Sequence, residues 1–342
     1  DLDKMLHHAL PDGWDKDMPT FPADAKGVAT RDSSGKVLNV LAKNVPWLMG
    51  GAADLYPSTK TRLTFDGAGE FEGATRGGRN MHFGIREHAM AAISNGMALC
   101  KIRTFASTFF IFTDYCKPAI RLSAIMELPV IYIFTHDSIG VGEDGPTHQP
   151  IEQLITLRAV PGLVVLRPAD ANEVIEAWRV IMQLKKEPAV LVLTRQALPT
   201  VDRSKYASAS GVAKGAYILA EAQGGKPEAI LMGTGSEVSL CLAAYETLTS
   251  QGVKVRVVSM PSWDIFEHQS REYRDSVLPP DVTARVSVEQ ASILGWDRYV
   301  GSKGKIIGMH TFGASAPLKE LQKKFGFEPN AVVAAVKEVI GK

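Results

Sequence analysis

Cysteine, long apolar runs and net charge are what this sequence has least of. Its 342 residues include only Cys100, Cys116 and Cys241, an odd number, widely spaced and without a CxxC pair. That argues against a disulfide framework or a zinc site and fits a reducing compartment. No apolar run approaches the roughly 20 residues a membrane helix needs, so no membrane partner is expected. With 38 Lys and Arg against 37 Asp and Glu, and no basic run, there is no electrostatic footprint for nucleic acid. Neither an initiating Met nor a charged-then-apolar leader opens the chain, which therefore reads as cut from something longer.

What is present suits a globular protein, 45% hydrophobic and 22% charged, but too long for one comfortable core. Residues 1–24 contain Pro11, Gly13, Pro19 and Pro22 without apolar periodicity and read as a connecting segment. From 25 to 203 the pattern predicts helices near 33–45, 86–100, 109–126, 151–159 and 170–186. Between them, strands are expected near 47–51, 81–84, 102–106, 130–135, 163–167 and 189–194. Such alternation predicts an α/β fold, a mostly parallel sheet covered by helices on both faces. Asp170 with Glu173 three residues on predicts a capping box. A polar stretch from Asp202 to Gly211 leads into a second α/β domain, 204–342, with strands near 229–233, 253–259, 284–288 and 305–308. GTGSEV at 233–238 has Val238 where a dinucleotide fingerprint has its third glycine, so a tight strand-to-helix turn is expected there.

The stretch that organises the chain is VIYIFTHDSIGVGEDGPTHQPIEQL, Val130 to Leu154. An apolar β-branched strand stops at His136, and a loop with Gly140, Gly142 and Gly145 follows. Ligands of open α/β sheets lie beyond the carboxyl ends of strands, where this loop puts two imidazoles beside Glu143 and Asp144. A solvated surface turn explains the same residues about equally well on local pattern alone.

THDSIG followed by GEDGPTHQP resembles the signature loop of transketolases, thiamine-diphosphate enzymes that move two-carbon ketol units between sugar phosphates. GGAADLYPS (50–58), FGIREHAM (83–90), TRQALP (194–199), GTGSEVS (233–239) and FGASAP (312–317) match in family order. The resemblance implies a pyrimidine-binding domain at 25–203, a transketolase carboxyl-terminal domain at 204–342, a homodimer, and a cytoplasmic or plastid setting.

It also implies roles. Glu87, in REH, is the carboxylate facing the pyrimidine nitrogen of the cofactor; read locally it is a first-turn glutamate favoured by the helix dipole. Phe109, Phe112 and Tyr115 recur at helical spacing, usually a core stripe, and by resemblance stack on the aminopyrimidine. Asp54 matches an aspartate near the thiazolium. Arg31, Ser58, His136 and Arg195 match residues that hold the sugar phosphate, and guanidinium and hydroxyl groups suit that task. Asp144 resembles the carboxylate that reads a substrate hydroxyl, and His148 the imidazole over the reacting carbonyl.

GAADL and Ser58-Thr59 stand where the family usually has GSADL and SN. GDG, which with a later Asn binds the diphosphate and Mg²⁺ in an amino-terminal domain, occurs nowhere. Thiamine diphosphate and Mg²⁺ are therefore expected cofactors of a complete enzyme whose diphosphate and metal ligands lie on a missing amino-terminal domain or chain, with no metal ligands on this one. The isolated chain is expected to be inactive. A split transketolase or 2-oxoacid dehydrogenase β-type subunit, and a non-catalytic dimerisation module, are the alternatives.

Overall fold

Five consecutive apolar and β-branched residues, Ile131–Thr135, form a fully buried strand in the first half of the chain. The structure, a computed structural model, describes residues 1–341. Six parallel strands lie in the order Asn80–His82, Leu48–Ala52, Arg103–Phe109, Ile131–Thr135, Ala189–Leu193 and Val164–Leu166. Alternate residues of the inner strands enter opposite cores. Ile131, Ile133, Leu191 and Leu193 join Leu38, Leu41, Val174 and Trp178 on one face. Tyr132, Phe134, Val190 and Val192 join Met90, Ala119, Ile120 and Leu157 on the other. The period-two alternation of a strand buried on both faces thus becomes two layers of helices.

Helices Thr30–Asn44 and Ala171–Gln183 cover the first face; Glu87–Leu99, Thr113–Ile125 and Gln153–Arg158 cover the second. Asp170 caps its helix by accepting from Glu173 N at 2.8 Å. The return arm, however, lands one residue early, with Glu173 Oε2 accepting from Ala169 N at 2.7 Å. The expected helix from 109 begins later. Phe109 still pairs with Thr135 in the parallel ladder, a 3₁₀ turn spans Phe110–Phe112, and the α-helix starts at Thr113. Ladder hydrogen bonds override the helical spacing of the aromatic side chains.

The second sheet has the order Lys305–Met309, Arg285–Ser292, Ala229–Gly233, Val255–Ser259 and Tyr217–Ala220, the last strand antiparallel. Helices Glu237–Ser250 and Pro329–Ile340 pack on it. At 233–238 the chain makes the expected strand-to-helix turn, with Gly235 at φ +51° and a would-be Cβ only 2.7 Å from Arg167 Cζ. Sequence pattern did not anticipate an antiparallel ribbon of Asp24–Ala29 with Ala197–Thr200, which zips the entry of the first α/β unit to its exit. Nor did it anticipate the helix Leu2–Leu6 in the leading segment, from which Leu10, Trp14, Met18 and Phe21 pack partly buried against the core.

Candidate functional site

The carboxyl ends of the parallel strands converge on one crevice. After Leu48–Ala52 comes Asp54, exposed, with φ +63°. After Ile131–Thr135 comes His136 at φ +64°. Two non-glycine residues in the left-handed region, at the ends of strands separated only by Arg103–Phe109, are unusual, and such strain clusters where ligands bind.

Thr30 and Thr194 build one end of the crevice. Thr194 N donates to Thr30 Oγ1 at 2.7 Å and Thr30 N to Thr194 Oγ1 at 3.1 Å. This reciprocal pair places Arg31, in the first turn of its helix, beside Arg195, just past the last residue of its strand. Arg31 Nη1 donates to Ser58 O at 3.0 Å and lies 3.4 Å from His136 Nε2. Its Nε is buried without a hydrogen-bond partner among the described residues, 4.0 Å from Asp32 Oδ2. Burial, together with the neighbouring Arg195, lowers the Arg31 pKa against the opposing pull of Asp32. Burial, then Arg31, Arg195 and His148, push His136 down to about 3, so its ring is neutral. A neutral ring that accepts from Arg31 at Nε2 carries its proton on Nδ1, 2.8 Å from Thr135 Oγ1. Two guanidiniums, one neutral imidazole and the half-buried Ser58 form a cationic corner suited to an oxyanion.

An aromatic shelf leads away from that corner. The Phe109 ring lies 3.7 Å from His136, centroid to centroid. Phe109 stacks with Phe112 at 6.0 Å and Phe112 with Tyr115 at 6.1 Å. His148 stands edge-on to both phenylalanines, 6.5 Å from Phe109 and 5.8 Å from Phe112, with its Nδ1 3.0 Å from Thr147 Oγ1. Glu87 is the first residue of its helix and 8% exposed, yet no hydrogen bond or ion pair reaches its carboxylate among the described residues. Its helix packs on Thr113–Ile125, which carries Tyr115, and an unpartnered carboxylate there suits a planar heteroaromatic ring that carries a proton. The buried Cys116 thiol, pushed up chiefly by burial, feels the same carboxylate.

The structure therefore joins Arg31, Ser58, His136, Phe109, Phe112, Tyr115 and His148 through direct contacts, with Arg195 acting on them by charge. Asp54 and Asp144 sit exposed, without hydrogen bonds to the others. Among the described residues, no group of three or more His, Cys, Asp or Glu is placed to hold a metal ion. The aromatic rings and the Glu87 carboxylate are of the kind that fit the pyrimidine end of the expected cofactor.

Residues 26–201 match the family model for the transketolase pyrimidine-binding domain, and 215–328 that for the transketolase-like C-terminal domain. This chain belongs to the transketolase family. The transketolase of Geobacillus stearothermophilus is 51% identical over 342 residues, 100% of this chain and 51% of that one. Transketolase from Leishmania mexicana superposes with a TM-score of 0.93 at 42% identity, over 99% of this chain and 49% of that chain. The chain spans about half the length of the curated relatives it matches, 51% in the first case. A split gene transketolase, solved as an inactive beta4 tetramer, shares the fold at a TM-score of 0.74 and 24% identity, over 92% of this chain and 99% of that one.

Sequence reasoning passed over several residues on which this geometry depends. Thr30 and Thr194 align the two arginines, and Gln149 and Arg167 tie the signature loop to the second sheet. Gln149 stood inside a quoted motif. The available signal for Arg167 was a charged residue ending an otherwise apolar strand.

Proposed function

We propose that this chain is the pyrimidine-facing and substrate-facing half of a transketolase that moves a two-carbon ketol unit from a ketose phosphate to an aldose phosphate, in the pentose phosphate pathway or Calvin cycle. The observation that carries this is the contact of Phe109 with His136, which joins a cationic corner to an aromatic shelf. Thiamine diphosphate with Mg²⁺, held in the complete enzyme, supplies the nucleophilic carbon and electron sink of the reaction. Glu87 holds a proton on the cofactor ring nitrogen that faces it, while Phe109, Phe112 and Tyr115 stack against that ring. Asp54 offsets positive charge at the rim. Arg31, Arg195 and Ser58 hold the sugar phosphate, with His136 orienting Arg31. Asp144 accepts from a substrate hydroxyl, and His148 gives a proton to the substrate oxygen as negative charge develops there.

An apolar face supports a homodimer. Ile93, Leu99, Tyr115, Leu122, Ile125 and Met126 project from the helices Glu87–Leu99 and Thr113–Ile125 and from the residue after them, with Tyr115 64% and Ile125 60% exposed. That much uncovered apolar surface beside a site is characteristic of an interface.

The test is ketol transfer from xylulose 5-phosphate to ribose 5-phosphate, by this chain alone and by the protein completed with an amino-terminal diphosphate-binding half. Activity only in the completed protein is expected. Turnover by the pure chain would refute its dependence on the missing half, and an inert completed protein would refute the transketolase reading. A second reading, one subunit of a two-chain enzyme, is favoured by a fold match that covers nearly all of a split-gene chain. Coding sequence upstream of Asp1, in frame or not, separates the two.

A further inference from the structure

The loop from His136 to Pro150 carries His136, Asp144 and His148, and both its ends are tied to the second α/β unit, at the start through Arg167 of the first. At its start, Asp137 Oδ2 accepts from Arg167 Nε at 2.9 Å. Arg167 in turn donates through Nη1 to Thr234 O at 3.1 Å and Thr234 Oγ1 at 2.9 Å, and ion-pairs with Glu237. Gly235 N returns a hydrogen bond to Arg167 O at 3.0 Å. At the loop's end, the buried Gln149 donates through Nε2 to Gly142 O at 2.8 Å and to Ala314 O at 2.9 Å. One side-chain amide thus pins the loop to itself and to FGASAP.

Steric fit at FGASAP is close. A Cβ on Gly313 would stand 1.7 Å from Gln149 Oε1, and one on Gly145 3.1 Å from Ser315 Cβ. Ser315 Oγ also donates to Glu143 O. Behind these contacts, the helix Leu318–Phe325 packs against Ile139–Asp144.

Gly142 and Gly145 have φ of +81° and +77°, so the loop is built from residues that confer little rigidity of their own. We propose that the second α/β unit is a positioning clamp: Gln149 seated against Gly313 and Ala314, with Arg167 at the other end, fixes where the loop holds Asp144 and His148. The proposal rests on the transketolase reading for what those two residues do, but the clamp itself is measurable without any reaction. Gln149, Gly313 and Arg167 are positioning residues. None belongs to the cationic corner or the aromatic shelf, so their loss displaces the proton donor without removing a phosphate ligand.

Hydrogen–deuterium exchange on this chain is the first experiment. Gly145 N and His148 N, bonded within the loop to Gly142 O and Gly145 O, are reporters. Gln149→Ala and Gly313→Ala should each speed exchange across 139–148 about tenfold or more. Arg256→Met, which breaks a distant ion pair with Glu221, controls for general loss of stability in the second unit and should leave the loop unchanged. In the completed enzyme, kcat should fall about 10–100-fold with the sugar-phosphate KM within about twofold, as a misplacement near 1 Å implies. The double variant should be no worse than the worse single one, since both act through one contact. Unchanged loop exchange in both variants overturns the clamp, as does a kcat loss no larger than that of Arg256→Met. A loosened loop in an enzyme that never transfers ketol units would uphold the clamp and refute the functional reading instead.

Discussion

Replacing Arg167 with methionine tests the electrostatics between the two sheets. The guanidinium is 1% exposed and faces Asp137 and Glu237, themselves 1% and 0% exposed. Glu289 lies in the same cluster but keeps Arg158, whose Nη1 and Nη2 donate to it at 2.9 and 2.8 Å, and Trp296 Nε1 at 2.8 Å. Methionine fills similar volume without charge, so the loss is mainly the stranding of two buried carboxylates. Removing one partner of such a pair costs about 3–5 kcal/mol, or roughly 10²–10³·⁵ in the folding equilibrium.

The deficit should depend on pH in a definite direction. Glu237 already sits above the ordinary 4.5, because burial raises it more than Arg167 lowers it. A carboxyl with a raised folded pKa supports the fold in full below its unfolded value and loses that support as pH rises through the folded one. Without Arg167 the folded value climbs further, so the variant should lie closest to wild type near pH 5 and fall progressively behind toward pH 8. Urea unfolding at both pH values, followed by fluorescence of the buried Trp178, Trp263 and Trp296, measures it. Glu237→Gln in the Arg167→Met background should recover part of the loss at pH 8. A deficit below about 1 kcal/mol, or one that does not change with pH, would refute this account of the cluster.

In the completed enzyme, Glu87→Ala should slow deuterium exchange at thiamine C2, whereas His148→Ala should leave exchange near normal while ketol transfer falls about 10²–10⁴-fold; equal loss of exchange in both would reverse the assignment. Arg31→Ala and Arg195→Ala should raise KM for phosphorylated sugars far more than for short unphosphorylated substrates, and a parallel loss would place the phosphate elsewhere. His136, held neutral at about 3, costs the fold stability as pH drops from its ordinary 6.5 toward that value. His136→Gln should therefore flatten acid destabilisation across that range, read by thermal melts from pH 7 to 4, and an unchanged slope would contradict its burial as a neutral ring. Sedimentation should show the isolated chain as a dimer at tens of micromolar, and Ile125→Lys with Leu122→Lys should render it monomeric; wild type that stays monomeric would count against the apolar face as the interface.

Where a single segment carried the pattern, the sequence was legible. Ile131–Thr135 is five apolar or β-branched residues with a polar loop after it, and Ala171–Gln183 repeats its apolar residues at helical spacing behind a capping aspartate. Features made by distant partners were not. Val28 pairs with Leu198, and Gln149 with Ala314, across separations that no local window spans. The edge strand Tyr217–Ala220 is apolar like its neighbours, and its antiparallel direction depends on the path of the connection before it. The candidate residues of the loop, His136 and His148, stood out by pattern, whereas Arg31 was reached through the family resemblance and only the fold brings it to them. Glu87 was reached through REH, since locally it is an ordinary first-turn glutamate; that no described residue hydrogen-bonds or ion-pairs with its carboxylate is visible only in the fold.

The ribbon between Asp24–Ala29 and Ala197–Thr200 has a thermodynamic consequence for substrate. One strand ends at Ala29, next to Thr30, and the other begins at Ala197, past Thr194, so the ribbon flanks the threonine pair that sets Arg31 beside Arg195. Bringing two like charges together opposes closure, and a bound dianion reverses that repulsion. On the proposed role of the two arginines, phosphate affinity and ribbon closure are two readings of one coupling free energy, equal in both directions. On that proposed role, the strand Asp24–Ala29, which carries none of the proposed site residues, is part of how a sugar phosphate is weighed.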